Sequence, residues 1–307
     1  MAAWMQAIAG ATMGFVLLLV LFRALEWTRP KTARKPLLRR GFLTDIGWFG
    51  FTAIVTKAFS RFGVAVVILP AALLIYGKLD PELIRNGYGP LSRLPLWLQA
   101  VCILVISDYA GYWMHRKFHG ARLWNYHAVH HSSADLDWLS AVRVHPVNDL
   151  LMKVANAVPL VLLGFAPLAV ASILPFLTLM AIMVHANLDW DWGPFRRILA
   201  SPRFHRWHHT DELEARDKNF AGLFPVWDII HGTWYMPRDK LPSVFGTQTP
   251  VPKSFAGQLA FPLAGMWRTV AGPGASVAGK QFNIRRDDIE EPAPVAGVSK
   301  TPDAMKW

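Results

Sequence analysis

Cysteine is almost absent from this chain, with Cys102 alone among 307 residues and set within an apolar run. A single thiol excludes a disulfide framework and any thiolate metal site. Charge is also thin, at 17% of residues against 53% hydrophobic, and that balance excludes an ordinary soluble domain and points to a membrane protein. Strand signals are scarce and no internal repeat is found, so the expected fold is all-α.

What the chain has in quantity is apolar sequence. Residues 4–22 carry no charge and are long enough to cross a bilayer. They follow no basic n-region and precede no small-residue cleavage site, so they read as a retained anchor rather than a signal peptide. Residues 63–77 and 96–114 are the next crossings, the latter opening behind Pro95, which a helix start tolerates. Residues 42–59, interrupted by Asp45 and Lys57, read as interfacial or as part of a long, tilted second span. Residues 154–184 are uncharged but broken by Pro159, Gly164, Pro167 and Pro175, which suits a helical hairpin that dips in and returns.

The net charge of +11 is concentrated. Arg29, Lys31, Arg34, Lys35, Arg39 and Arg40 follow the first span, where they suit a cytoplasmic segment against anionic lipid better than nucleic acid. That orientation puts the loop at 78–94 outside and the end of the third span inside. The expected architecture is a multi-pass integral membrane helical bundle with a cytoplasmic histidine-rich cap, in the inner membrane if the source is bacterial. Residues 1–94 form the anchor spans, 95–240 the histidine-rich domain, and 241–307 an interfacial segment near 255–270 with a disordered tail that includes the charge run at 285–291.

Eight of the 11 histidines fall in three clusters: His115 and His119; His127, His130 and His131; and His205, His208 and His209. On composition alone a given HxxHH pattern is expected roughly 0.01 times per chain. Helical positions i, i+3 and i+4 share a face, so each cluster presents imidazoles in one direction. Eight such rings suggest more than one transition-metal ion. His127 follows the Gly120 break and His205 follows Pro202, so both are expected at the heads of new helices. Arg203, Arg206 and Asp211 are expected on the solvated side of the last cluster.

The isolated candidates are fewer. His185, at the end of the proline-broken stretch, arrives at the depth of a ninth ligand. His145 is open between ligand, support of a ligand and structural contact, while His231 reads as structural. Asp108 lies two turns before His115 inside a span, a costly place for a carboxylate. It is expected to accept the distal N–H of a ligating histidine, with pairing to Arg116 as the plainer alternative. Clusters with no cysteine and no nearby glutamate exclude a structural zinc finger and argue against a carboxylate-bridged bundle. Zn, Fe, Cu and Ni remain open by ligand softness.

The ordered set HRKFH (115–119), HAVHH (127–131), RVHP (143–146), HANLDW (185–190), PRFHRWHH (202–209), KNFAG (218–222) and WDIIHGT (227–233) resembles the fatty acid hydroxylase/sterol desaturase superfamily. The resemblance covers residues 96–237. It implies a non-haem di-iron centre held by His115, His119, His127, His130, His131, His205, His208 and His209, with His185 matching a further family histidine. Asn219 joins Asp108 and His145 as expected supports of those ligands, and 95–240 becomes the catalytic domain. O2-dependent hydroxylation of a membrane lipid is the implied activity, with a sterol, a fatty-acyl or alkyl chain, or an aminolipid as substrate. Desaturation and ether-lipid oxidation by the same centre are the alternatives, and a metal transporter is the contrasting class. No flavin or dinucleotide fingerprint occurs in the 307 residues, so a separate ferredoxin- or cytochrome-type electron donor is expected.

Overall fold

The computed structural model describes residues 2–28, 36, 38–77 and 81–271. Arg29, Lys31, Arg34 and Lys35 of the basic run, and the tail with its charge run at 285–291, lie outside the described residues. Eleven α-helices follow in order: α1 (Ala2–Thr28), α2 (Phe42–Phe51), α3 (Lys57–Tyr76), α4 (Pro81–Asn86), α5 (Leu96–Phe118), α6 (Trp124–His131), α7 (Pro146–Leu162), α8 (Pro167–Met183), α9 (Pro202–His208), α10 (Val226–Ile230) and α11 (Phe255–Ala271). Among the described residues there is no strand; Thr210 and Phe245 form an isolated antiparallel bridge. The all-α expectation holds.

Three helical stretches are long and apolar enough to cross a membrane: Ile8–Trp27, Phe42–Leu74 and Leu96–Phe118. The second settles the question left open over residues 42–59. A π-helical turn at Thr52–Thr56 joins α2 to α3 without a break. At about 1.5 Å per residue the joined helix exceeds the ~30 Å hydrocarbon core, so one end projects or the rod tilts. Leu17, Phe62, Leu74 and Phe176 are exposed, as expected of side chains that face lipid.

Chain breakers shape the hairpin of α7 and α8. Gly164 takes a left-handed φ of 77°, and its carbonyl accepts the Tyr88 N–H at 2.8 Å. A Cβ on Gly164 would sit 2.3 Å from the Gly89 nitrogen, so only glycine allows this approach. Gly89 belongs to the connection between α3 and α5. The hairpin, with α7 packed along α3 and α5, therefore reaches the far end of those helices. At the opposite end α5 finishes with His115 and His119, α7 begins just after His145, and α8 delivers His185. All the histidine clusters thus share one end of the bundle.

That end is tied to the N-terminal helices by buried charge. Arg39 pairs with Asp137 and, at 2.7 Å, with Asp45; Arg143 pairs with the other Asp45 oxygen and donates to Ser132 Oγ at 3.1 Å. Asp137 also caps the turn Trp138–Val142. The expectation that Arg39 faces lipid is corrected here: it is buried, and the neighbouring acids hold its guanidinium firmly protonated despite burial. Arg40 reaches Asp135 at 3.0 Å. Asp45 is one anchor of this clamp and not an interfacial charge.

Candidate metal centre

Nine histidines converge as two groups. His115, His119, His127, His131 and His208 form one; His130, His185, His205 and His209 form the other, and within each group the ligand nitrogens lie within 4.8 Å of one another. The local reasons are those of the sequence. α6 starts after the turn at Gly120 and sets three imidazoles on adjacent faces. α9 starts at Pro202 with Ser201 as its cap, the Ser201 hydroxyl accepting the Phe204 N–H at 3.1 Å. α6 shares its imidazoles between the groups, His127 and His131 to one and His130 to the other, so the two sites adjoin.

Six of the nine rings are aimed by what their Nδ1 touches. His115 donates to the Phe220 carbonyl at 2.7 Å, His208 to Lys218 at 2.8 Å, His130 to Arg143 at 3.2 Å and His185 to Ala181 at 2.7 Å. His127 donates to Asn148 Oδ1 and His119 to the Asp217 carboxylate, both at 3.0 Å. A carbonyl can only accept, so the proton sits on Nδ1 and the Nε2 lone pair faces inward.

This arrangement is uncomfortable without a cation. Nε2 of His115 lies 3.0 Å from Nε2 of His127, and Nε2 of His130 lies 3.1 Å from that of His185, although all four protons are committed elsewhere. Nε2 of His119 and of His208 are buried without a partner. Converging lone pairs and orphaned buried nitrogens fit metal ions, and an all-nitrogen set fits a transition metal. Burial holds His127, His130, His131, His205, His208 and His209 well below the ordinary histidine value, helped by the neighbouring imidazoles, and brings His185 down to about 4. Neutral rings at pH 7 are what a metal requires.

The other predicted residues fall into place differently. Asp108 touches no histidine; its two oxygens accept the Leu223 and Phe224 N–H groups at 2.8 and 2.7 Å. It acts on the loop at 218–224 instead, and Arg116 is not among its hydrogen-bond partners. Asn219, at φ 59°, donates to the Phe204 and Tyr235 carbonyls at 3.0 and 2.6 Å and accepts the Tyr235 N–H. Its neighbours Lys218 and Phe220 supply the carbonyls that aim His208 and His115, so Asn219 supports two rings through the backbone. His145 is not in either group. It caps α7 by accepting the Val147 N–H, and its Nε2 donates to Leu259 at 3.2 Å. His231 is stacked against Tyr112 and Tyr109, as a structural residue would be. Arg206 is fully buried rather than solvated, with Nη1 donating to the Leu136 and His185 carbonyls.

Four participants were not anticipated. Asn148 and Asp217 orient ligands directly. Asp228 holds the Phe220 and Ala221 N–H groups and the Thr233 hydroxyl, completing the frame of the 218–224 loop. Glu26, at the end of α1, accepts the Asn187 N–H at 2.8 Å and so secures the turn behind His185.

Residues 100–233 match the family model described as fatty acid hydroxylase. Over just under half of its length the chain is similar to the fatty acid hydroxylase family. The superfamily resemblance read from the histidine spacing is thereby borne out. Ornithine lipid hydroxylase OlsE of Rhizobium tropici is 34% identical over 187 residues, covering 60% of this chain and 56% of that protein. Human alkylglycerol monooxygenase is 34% identical over 205 residues (57% and 45%), and methylsterol monooxygenase 1-1 of Arabidopsis thaliana is 28% identical over 173 (55% and 57%). The chain spans about half the length of these curated relatives. No solved structure gives a significant match. The matched stretch contains all nine converging histidines, together with Asp108, Asn148, Asp217, Asn219 and Asp228.

Proposed function

We propose that this chain is an O2-dependent di-iron hydroxylase acting on C–H bonds of a membrane lipid, with electrons from an external ferredoxin- or cytochrome-type carrier. The observation that carries the reading is the inward convergence of nine imidazoles in a five-and-four arrangement at one end of apolar helices. His115, His119, His127, His131 and His208 would hold one iron, and His130, His185, His205 and His209 the other. In this reading residues 95–240 are the catalytic domain, residues 1–94 anchor it, and the centre faces the cytoplasm.

Bound iron would supply O2 activation and the oxidation of an unreactive carbon. The chain's residues do the rest. Backbone carbonyls and Asn148 keep the Nδ1 protons of His115, His127, His130, His185 and His208 in place, so those rings would bind through Nε2 without a search among tautomers. Asp217 gives His119 a charged acceptor, which raises the basicity of its Nε2. Buried Phe220 packs against His115, His119 and His208 and shields that side of the five-histidine group from water. The lipid relatives have an aminolipid, an alkylglycerol and a methylsterol in their names, which supports a lipid substrate with a chain or ring lying among the spans.

Purified protein in detergent should contain close to two irons per chain and consume O2 when given reductant and a cognate lipid. Lipid mass spectrometry of cells with and without the gene should reveal a species that gains one oxygen only when the protein is present. Sub-stoichiometric iron together with unchanged lipids would overturn the reading. The alkylglycerol relatives favour ether-lipid oxidation as a second possibility, and the alkyl chain released as an aldehyde would mark it. A product lighter by two hydrogens would mark desaturation.

A further inference from the structure

A second polar site lies outside the histidine groups, in the segment between α8 and α9. A cavity of about 310 Å³ is lined by Asp191, Gly193, Arg196, Arg203 and Arg238. Three guanidiniums face one carboxylate there, so the lining keeps a net positive charge. The carboxylate neutralises them loosely: Asp191 Oδ2 lies 3.8 Å from Arg196 and 3.6 Å from Arg203, beyond hydrogen-bond length, while Oδ1 is taken by the Gly193 N–H at 2.8 Å.

Arg196 and Arg203 are built in rather than draped over the surface, while Arg238 is exposed at the rim. The side chains of Arg196 and Arg203 are 11% and 13% exposed. Arg196 donates through Nη2 to the Met236 carbonyl at 2.7 Å, and Arg203 to the carbonyls of Arg238 and Lys240. Arg196 and Arg197 both lie against the Trp234 ring. Yet Nε of Arg196 and Nε of Arg203 are buried with no acceptor. Two fixed, buried, unsatisfied cationic donors beside a cavity call for an anion, and guanidinium forks match phosphate oxygens.

The surroundings indicate where that phosphate comes from. Trp190, next to Asp191, packs against the cluster that contains Phe22 and Leu188. Phe22 belongs to a candidate span that ends at Trp27. The cavity therefore lies close to the end of a membrane helix, where lipid headgroups are found. Phe195 and Ile198, on either side of Arg196 and Arg197, are 63% and 58% exposed. Exposed apolar residues interleaved with arginine suit an interface between acyl chains and headgroups.

We propose that Arg196, Arg203 and Arg238 form a binding site for the phosphate of an anionic phospholipid at the membrane surface. The site is separate from the metal centre and stands whether or not the hydroxylase reading does.

The test uses the full-length protein in detergent. Native mass spectrometry would follow retention of phosphatidylglycerol against phosphatidylcholine, with inorganic phosphate as competitor. The wild-type protein should hold one phosphatidylglycerol at least tenfold more strongly than phosphatidylcholine, and the Arg196→Gln/Arg203→Gln double variant should lose that preference. Because those two arginines also secure backbone carbonyls, Arg238→Glu serves as the second variant; its retention should fall several-fold with the metal content unchanged. Competition by inorganic phosphate at millimolar levels, with no lipid preference, would assign the site to free phosphate and overturn the lipid assignment. Equal retention of both lipids by wild type and variants would overturn the proposal. So would unchanged lipid retention combined with lost binding of an acidic redox protein.

Discussion

The two histidine groups are built alike but open differently. The five-histidine group meets a cavity of about 390 Å³ lined by His119, His131 and His208 together with Thr210, Asp211, Asp217, Thr247 and Thr249. Asp217, which holds His119, is largely exposed. In the four-histidine group every ring is buried, and Arg206, Glu26 and the Asn187 turn close the space behind it. Among the described residues, the same imidazole chemistry is therefore offered in one place beside a polar mouth and in the other with every ring buried. The open site has one ligand more and a path for exchange through that mouth.

Removing one ligand from each group gives the largest expected contrast. His185→Ala leaves three nitrogens in an enclosed site and should cost a full equivalent of metal, with product formation falling below detection. His119→Ala leaves four nitrogens in the open site and should keep most of its metal at reduced affinity. Metal per chain by elemental analysis and product by lipid mass spectrometry decide the matter. Equal metal loss from the two variants would break the comparison.

Loosening the frame should have a smaller and one-sided effect. Asp108→Ala frees the Leu223 and Phe224 N–H groups, each worth about 1–3 kcal/mol when buried and unpaired. The 218–224 loop then aims His115 and His208 less firmly. Metal affinity of the five-histidine group should drop roughly 10–100-fold, as expected when outer supports are lost. The rings of the four-histidine group take their hydrogen bonds from Arg143, Ala181 and one another and not from this loop, so that group should lose far less, as cobalt titration with absorption detection would show. A uniform loss at both sites would mean that Asp108 supports the fold as a whole.

How much of this was visible in the residues follows from the same distinction between local and distant partners. Eight of the nine histidines were legible because spacing on a helix fixes direction, and direction survives folding; His185 was legible only by its depth at the end of the proline-broken stretch. Asp108 was marked as functional by its cost inside a span, but its true partners lie 115 and 116 residues on, and no local pattern announces them. Arg39 looked like one more member of a basic run; the acid that buries it is 98 residues away. Arg206 alternates with ligands on α9, which hid the fact that both faces of that short helix are enclosed. For His145 a signal did exist: it immediately precedes Pro146 at a helix start, the position of a cap. Asn148 lies one turn further along and could have been found from the same helix.

Chelator release should separate the sites in time. With a membrane-impermeant, water-soluble chelator, metal should leave in two phases of comparable amplitude. The faster phase belongs to the five-histidine group, reached through the polar mouth, and should slow several-fold when Thr247 is replaced by Trp to narrow that mouth. A single phase, or a fast phase insensitive to Thr247→Trp, would argue that both sites open together through local unfolding.

Acid should expose the smallest difference, in the metal-free protein. The buried histidines have folded values below the ordinary ~6.5, so below that pH the unfolded chain binds more protons than the folded one, and stability falls as pH falls. Each such ring costs about 1 kcal/mol on going from pH 7.5 to 5.5, since its unfolded form takes up most of a proton and its folded form takes up almost none. His130, His185, His205 and His209 are all of this kind, so the enclosed group alone should account for a drop of several kcal/mol. His205→Gln should flatten the dependence of thermal midpoint on pH by one ring's share, raising the midpoint at pH 5.5 relative to wild type by a few degrees while leaving the difference at pH 7.5 unaltered by titration. Bound metal should suppress the slope, because occupied nitrogens cannot take protons. A metal-free protein as stable at pH 5.5 as at 7.5 would mean that the rings already reach water, and the enclosure of the four-histidine group would have to be given up.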